Sequence, residues 1–190
     1  LIVKEAGKTL IQVIDDGMGM SETDARMSLE RHATSKIRTT EDLFRLRTMG
    51  FRGEALASIA AVSQFELKTR QAHQELGSLI LVEASEIKSQ GPVACEKGTS
   101  ISVKNLFYNI PARRNFLKAN PVEMRHIIEE FQRLALAHPH VAFALYHSDD
   151  LIYDLQPSKL SQRIVALFGK SFQGQLAVCQ EETALLNVTG

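Results

Sequence analysis

Residues 9–20 read TLIQVIDDGMGM, and residues 21–31 continue as SETDARMSLER. Leu10 and Gln12 alternate before the run turns apolar, which suits a sheet strand that delivers Asp15 to its end. Ser21 with Asp24 three residues later forms a capping pair, and Glu22 to about Arg31 holds good helix formers. The unit is strand, loop, helix. Gly17 and Gly19, one residue apart, let the backbone turn tightly and approach a flat ligand, while a carboxylate at a strand end can accept a hydrogen bond from an exocyclic amine. That combination suits an adenine pocket, although a plain Asp-Gly turn is written with the same letters. A dinucleotide fingerprint wants a third glycine where Glu22 stands, and an acidic residue at the end of a second parallel strand. A calcium loop wants alternating oxygen ligands and a glutamate at its twelfth position. Neither pattern is met.

Downstream, residues 31–37 read RHATSKI and residues 50–56 read GFRGEAL. Thr34, Ser35 and Lys36 offer two hydroxyls and an ammonium. Gly50, Phe51, Arg52, Gly53 and Glu54 lead through Ala55 and Leu56 into a helix whose first amides have no internal partner, the makings of a phosphate site. The stretch between them is long enough to close over a nucleotide. Taken singly, each feature also reads as an ordinary turn or a solvated lysine. There is no GxxxxGK[ST], so a P-loop is excluded.

Beyond the small-residue helix EALASIAAV, strands are expected at 64–70, 77–84, 86–94 and 99–104, with turns at Gly77, Gly91 and Gly98. Asn120 with Pro121 and Glu123 opens a helix whose apolar stripe is Ile127, Phe131, Leu134 and Ala135, ended by Pro139. Strands at 141–147 and 151–155 follow, then a helix at 158–168. The expected fold class is α+β: a mainly antiparallel mixed sheet over residues 1–155 with helices on one face, then the start of a second α/β subdomain over 156–190, divided near Gln156 and Pro157. LIVKE at 1–5 reads as a strand with no start signal and ALLNVTG at 184–190 as a strand entering something unfinished, so a fragment is expected.

Composition restrains the function classes. Lys plus Arg (22) balance Asp plus Glu (22), so no global field draws the chain to nucleic acid or an anionic membrane. No apolar run approaches the ~20 residues of a bilayer span. Cys95 and Cys179 have no CxxC partner and read as core fillers in a reducing setting. His138 and His140 flank Pro139 without a third ligand.

Strand-DDGMGM-helix, RHATSKI, GFRGEALASIAAV, GTSISVKNLFYN and IPARRNFL, in this order, resemble the successive motifs of MutL-type DNA mismatch repair proteins. These belong to the ATPase superfamily of gyrase, heat-shock chaperone, histidine kinase and MutL (GHKL). The resemblance implies that Asp15 reads the adenine amino group, that Thr99 supports it through water, and that Gly17 and Gly19 form the pocket turn. Thr34, Ser35 and Lys36 match the first part of a nucleotide lid, and Gly50, Phe51, Arg52, Gly53, Glu54, Ala55 and Leu56 the segment whose amides hold phosphates. It also implies ATP with Mg2+ in the complete domain, a homodimer, a MutS-type partner, and a downstream nuclease or helicase. A bacterial cytoplasmic, nucleoid-associated setting without a membrane role goes with these. The family's water-activating glutamate and magnesium-holding asparagine precede the strand at residues 1–5, and its γ-phosphate lysine follows residue 190. No catalytic or metal residue is therefore assigned, and the chain by itself is expected to show no ATP hydrolysis, however well it binds. Arg113 and Arg114 form the one local basic cluster with a possible DNA-phosphate role, against a reading as structural arginines that bond carbonyls. The alternative function is a non-hydrolysing interaction module that scaffolds repair partners.

Overall fold

The computed structural model describes residues 1–31, 50, 53–183 and 186–190, as two compact units, Leu1–Ala119 and Asn120–Gly190. In the first unit the strands are β1 (Ile2–Lys4), β2 (Leu10–Asp15), β3 (Gln64–Arg70), β4 (Gly77–Glu83), β5 (Glu86–Val93) and β6 (Gly98–Lys104). They lie in the order β5-β4-β3-β6-β2-β1, and each of these neighbouring pairs is antiparallel. The expected antiparallel α+β architecture is therefore the one observed.

Register explains which side chains meet. Ile11, Val103, Phe65 and Val82 stand opposite one another across four strands, Val13, Ile101, Leu67 and Ile80 form the next row, and Asp15, Thr99, Thr69 and Ser78 the last. Because side chains alternate with period 2, these rows share one face. Helices α1 (Glu22–Met27) and α2 (Ala55–Ala60) meet that face with Ala25 and Ala60 in a core with Phe65, Leu67, Ile80, Val82 and Val103. Alanine allows a helix backbone to come close to a sheet, and burying each large side chain contributes roughly 1.5–3 kcal/mol. The opposite face is mixed, with Gln12, Ser102, Glu66 and Lys68 beside Leu10, Ile14, Leu79 and Leu81. There the Lys68 and Lys104 ammonium groups each stand 2.8 Å from the Glu66 carboxylate. Burial pulls the Glu66 carboxyl upward, and the two lysines outweigh it, so it titrates below the ordinary range.

Several local expectations are corrected. Helix α1 ends at Met27 rather than near Arg31, with the Ser28 amide closing onto the Arg26 and Asp24 carbonyls. Gly91 lies inside β5, and the turn before that strand is Ala84–Ser85, both at positive φ (49° and 71°), a two-residue hairpin of the twisted type.

The second unit is built on α4 (Asn120–Ala137), with the hairpin β7 (Phe143–His147) and β8 (Asp150–Leu155), helix α5 (Leu160–Phe168), and the short strands β9 (Gln180–Glu182) and β10 (Asn187–Thr189). The buried stripe of α4 is Met124, Phe131 and Ala135; Leu134 is exposed, because its position points off that stripe. Phe131 stacks on Tyr153 at 5.4 Å and meets Phe143 edge-on at 5.9 Å. Arg163 of α5 is fully buried, its Nη2 donating to the carbonyls of Pro139, Val141 and Gln156 at 2.9, 2.7 and 3.0 Å. The division expected near Gln156 and Pro157 thus falls within this unit. Cys179 is exposed rather than a core filler, and Cys95 is half-buried.

Candidate nucleotide site

The site is the end of the first unit's sheet, where β2 delivers Asp15. Asp15 stands directly opposite Thr99 of β6, which stands opposite Thr69 of β3. The Asp15 carboxylate accepts the Gly17 amide at 2.9 Å, a local turn that fixes the side chain and leaves its other oxygen for a ligand. Beyond Gly17 the loop folds back over the strand ends. Gly19 adopts φ +68°, and a Cβ there would sit 2.1 Å from the Arg70 carbonyl oxygen. Gly98 adopts φ +114°, and a Cβ there would sit 2.0 Å from the Asp15 carbonyl oxygen. Both positions need glycine on conformation and on space.

The loop is anchored before it becomes helix. The Met20 amide donates to Thr69 Oγ1 at 2.9 Å, and the Asp24 amide donates to Ser21 Oγ at 3.1 Å as the expected N-cap. The Ser21 hydroxyl in turn donates to the Asp24 carboxylate at 2.7 Å. The result is an exposed carboxylate and a half-buried threonine beside a glycine turn in which Gly17 is exposed and Gly19 half-buried. A flat heterocycle with an amino group matches that donor and acceptor set.

Among the expected site residues, Asp15, Gly17, Gly19 and Thr99 are brought together here. Gly50 is exposed, Gly53 adopts φ +66°, Glu54 is the exposed N-cap of α2, and Ala55 is exposed on its first turn. Leu56 packs against the core, so its contribution to any ligand is confined to its backbone. Thr34, Ser35, Lys36, Phe51 and Arg52 lie outside the described residues. Arg113 and Arg114 are exposed on the short helix α3 (Pro111–Asn115), with the Arg113 guanidinium 5.8 Å from the Phe107 ring centroid and Phe116 84% exposed beside them. The rings of His138 and His140 meet edge-on at 5.9 Å. Among the described residues no group of three or more His, Cys, Asp or Glu side chains could hold a metal ion.

Thr69 was missed by the sequence reading. A threonine at the third buried position of a strand whose first two are Phe65 and Leu67 was the available signal, since a hydroxyl in an apolar series must be satisfied there.

An antiparallel sheet with helices on one face, a strand-end aspartate and a following glycine turn define a GHKL-type ATP-binding fold. The Aquifex aeolicus MutL ATPase domain solved with ADP has this fold, with a TM-score of 0.69 and 30% identity over 94% of this chain and 61% of that one. The N-terminal domain of a DNA repair protein, 23% identical, shares the fold with a TM-score of 0.76 over 95% of this chain and 54% of that one. No family model matches the sequence. DNA mismatch repair protein MutL of Bacteroides fragilis is 58% identical over 190 residues, all of this chain and 30% of that protein; its Flavobacterium psychrophilum counterpart is 57% identical, over all of this chain and 31% of that protein. The chain belongs to the MutL family of DNA mismatch repair proteins, and it spans about 30% of the length of the curated relatives it matches.

Proposed function

We propose that these residues are the ATP-binding part of a mismatch repair switch, in which Asp15 reads the adenine amino group and Thr99 supports it. The observation that carries this reading is the row Asp15–Thr99–Thr69, closed over by a glycine loop that the Met20 amide fastens to Thr69. With one Asp15 oxygen held by the Gly17 amide, the free oxygen can take a charge-assisted bond from an amine, worth roughly 1.5–3 kcal/mol. Thr34, Ser35 and Lys36 then serve as the start of a lid, and the amides of Gly50 to Leu56 meet the phosphate charge, which needs dipoles and no side-chain chemistry. Among the described residues no cluster of three or more His, Cys, Asp or Glu side chains is placed to hold magnesium.

At the scale of the whole protein, ATP binding orders the lid and favours a homodimer, and hydrolysis releases it. That cycle would couple a MutS-type mismatch sensor to a nuclease or helicase in a bacterial, nucleoid-associated setting. Arg113 and Arg114, exposed beside Phe116, give this surface a cationic and aromatic character suited to a DNA backbone contact. Titration with labelled ATP, and separately with labelled duplex DNA, tests the reading. Saturable ATP binding that ADP competes away is the expected result; DNA binding without nucleotide binding would favour a scaffold instead.

A further inference from the structure

Thr69 sits one strand beyond Thr99 in the row that begins at Asp15, and its side chain is 1% exposed. A hydroxyl has one proton to give and two lone pairs to fill. Three partners surround this one: the Met20 amide at 2.9 Å, the Gly98 carbonyl at 3.0 Å and the Thr99 hydroxyl at 3.1 Å. The amide can only donate and the carbonyl can only accept. All three bonds are made together in a single arrangement, with Thr69 accepting from Met20, donating to Gly98 and accepting from Thr99. The Thr99 proton is then used inside the protein. Thr99, half-buried at the rim, turns only lone pairs toward the space before Asp15.

We propose that Thr69 is a specificity-determining positioning residue: by drawing in the Thr99 proton it makes the strand-end site acceptor-only, so that the site selects a purine with a 6-amino group over one with a 6-carbonyl. This rests on the adenine reading of the site given above. Asp15 is itself an acceptor, so a 6-amino purine offers hydrogens to a rim that has none to give. A 6-carbonyl faces lone pairs with lone pairs, whether directly or through a water that the same rim orients, and leaves polar groups unpaired. Replacing Thr69 by valine keeps the shape and removes the hydroxyl. The Thr99 proton is then free to turn outward and meet a carbonyl.

The test is equilibrium binding of ATP and of inosine triphosphate to the full-length protein, unsubstituted and as Thr69→Val and Thr69→Ser. The preference for ATP over inosine triphosphate should fall about tenfold in Thr69→Val, the size of one hydrogen bond gained or lost, and persist in Thr69→Ser. A residue that only holds the loop in place would weaken both nucleotides by the same factor, and an unchanged ratio in Thr69→Val overturns the proposal. Should Thr69→Val fail to fold, NMR of the unsubstituted protein decides. A slowly exchanging Thr69 hydroxyl proton bonded to the Gly98 carbonyl supports the arrangement, and one directed at Thr99 overturns it. Failure of the unsubstituted protein to bind ATP overturns the nucleotide reading beneath the proposal, whereas ATP binding with an unchanged ratio overturns the role of Thr69 alone.

Discussion

Single residues in this chain carry roles that their type alone does not announce. Arg163 has no exposed surface, and its Nη2 serves three backbone carbonyls while its Nε and Nη1 make no hydrogen bond. Arg163→Ala should lower the unfolding free energy of the second unit by ~3 kcal/mol or more, because it leaves a cavity and orphans three carbonyls. Arg163→Met should cost less, since it fills the space and removes a buried charge that has no carboxylate partner among the described residues. Chemical denaturation of both variants checks the order; equal losses would contradict it. Gly19→Ala should weaken nucleotide binding while leaving the core intact, because φ +68° and the Arg70 carbonyl 2.1 Å from the new Cβ force the loop to shift. Comparing ATP affinity with the thermal midpoint of that variant separates the two effects. Asp15, Gly17 and Gly19 were legible as candidates from the strand-loop-helix pattern, and Thr99 from the family resemblance alone. Thr69 and Arg163 were not, since their meaning comes largely from partners distant in the chain, Met20 being 49 residues from Thr69 and Val141 22 residues from Arg163.

Elements were easier to read than the turns between them. Strand β3 shows strict alternation, with Phe65, Leu67 and Thr69 buried, and its bounds follow from that pattern. The hairpin after β4 hides in Ala84 and Ser85, where a sequence reader looks for Asn-Gly and finds Gly91 instead. Ser85→Gly should therefore stabilise the first unit by about 0.5–1 kcal/mol, by relieving a positive φ at 71°; a loss of stability would show that the Ser85 side chain matters more than its backbone. The ion group on β3 and β6 ties stability to pH. Glu66 titrates below the ordinary glutamate value of 4.5 once folded, so its contribution is fully present above that value and is lost as pH falls through the lowered one. Glu66→Gln should flatten the acid limb of the stability curve below about pH 4.5 and leave its shape near neutrality unchanged. Parallel acid limbs in the two proteins would count against the Lys68 and Lys104 pairing.

For the molecule as a whole, the antiparallel sheet with one helical face was legible because four strands arrive in succession between recognisable turns, which leaves no room for parallel crossovers. The division into units was less so. A Gln156–Pro157 break reads as a linker, yet the Gln156 carbonyl is one of the three gathered by Arg163, so a composition cue coincides with a packed corner. Function at this scale reduces to whether the strand-end row binds an adenine nucleotide. The direct measurement is calorimetric titration of ATP into the full-length protein, into Asp15→Asn and into Arg113→Ala. Asp15→Asn exchanges a charged acceptor for an amide that can present a donor to the amine, and should cost about 1–3 kcal/mol, up to about a hundredfold in affinity, while Arg113→Ala binds as the unsubstituted protein does. Equal ATP affinity in the unsubstituted protein and Asp15→Asn would contradict the account.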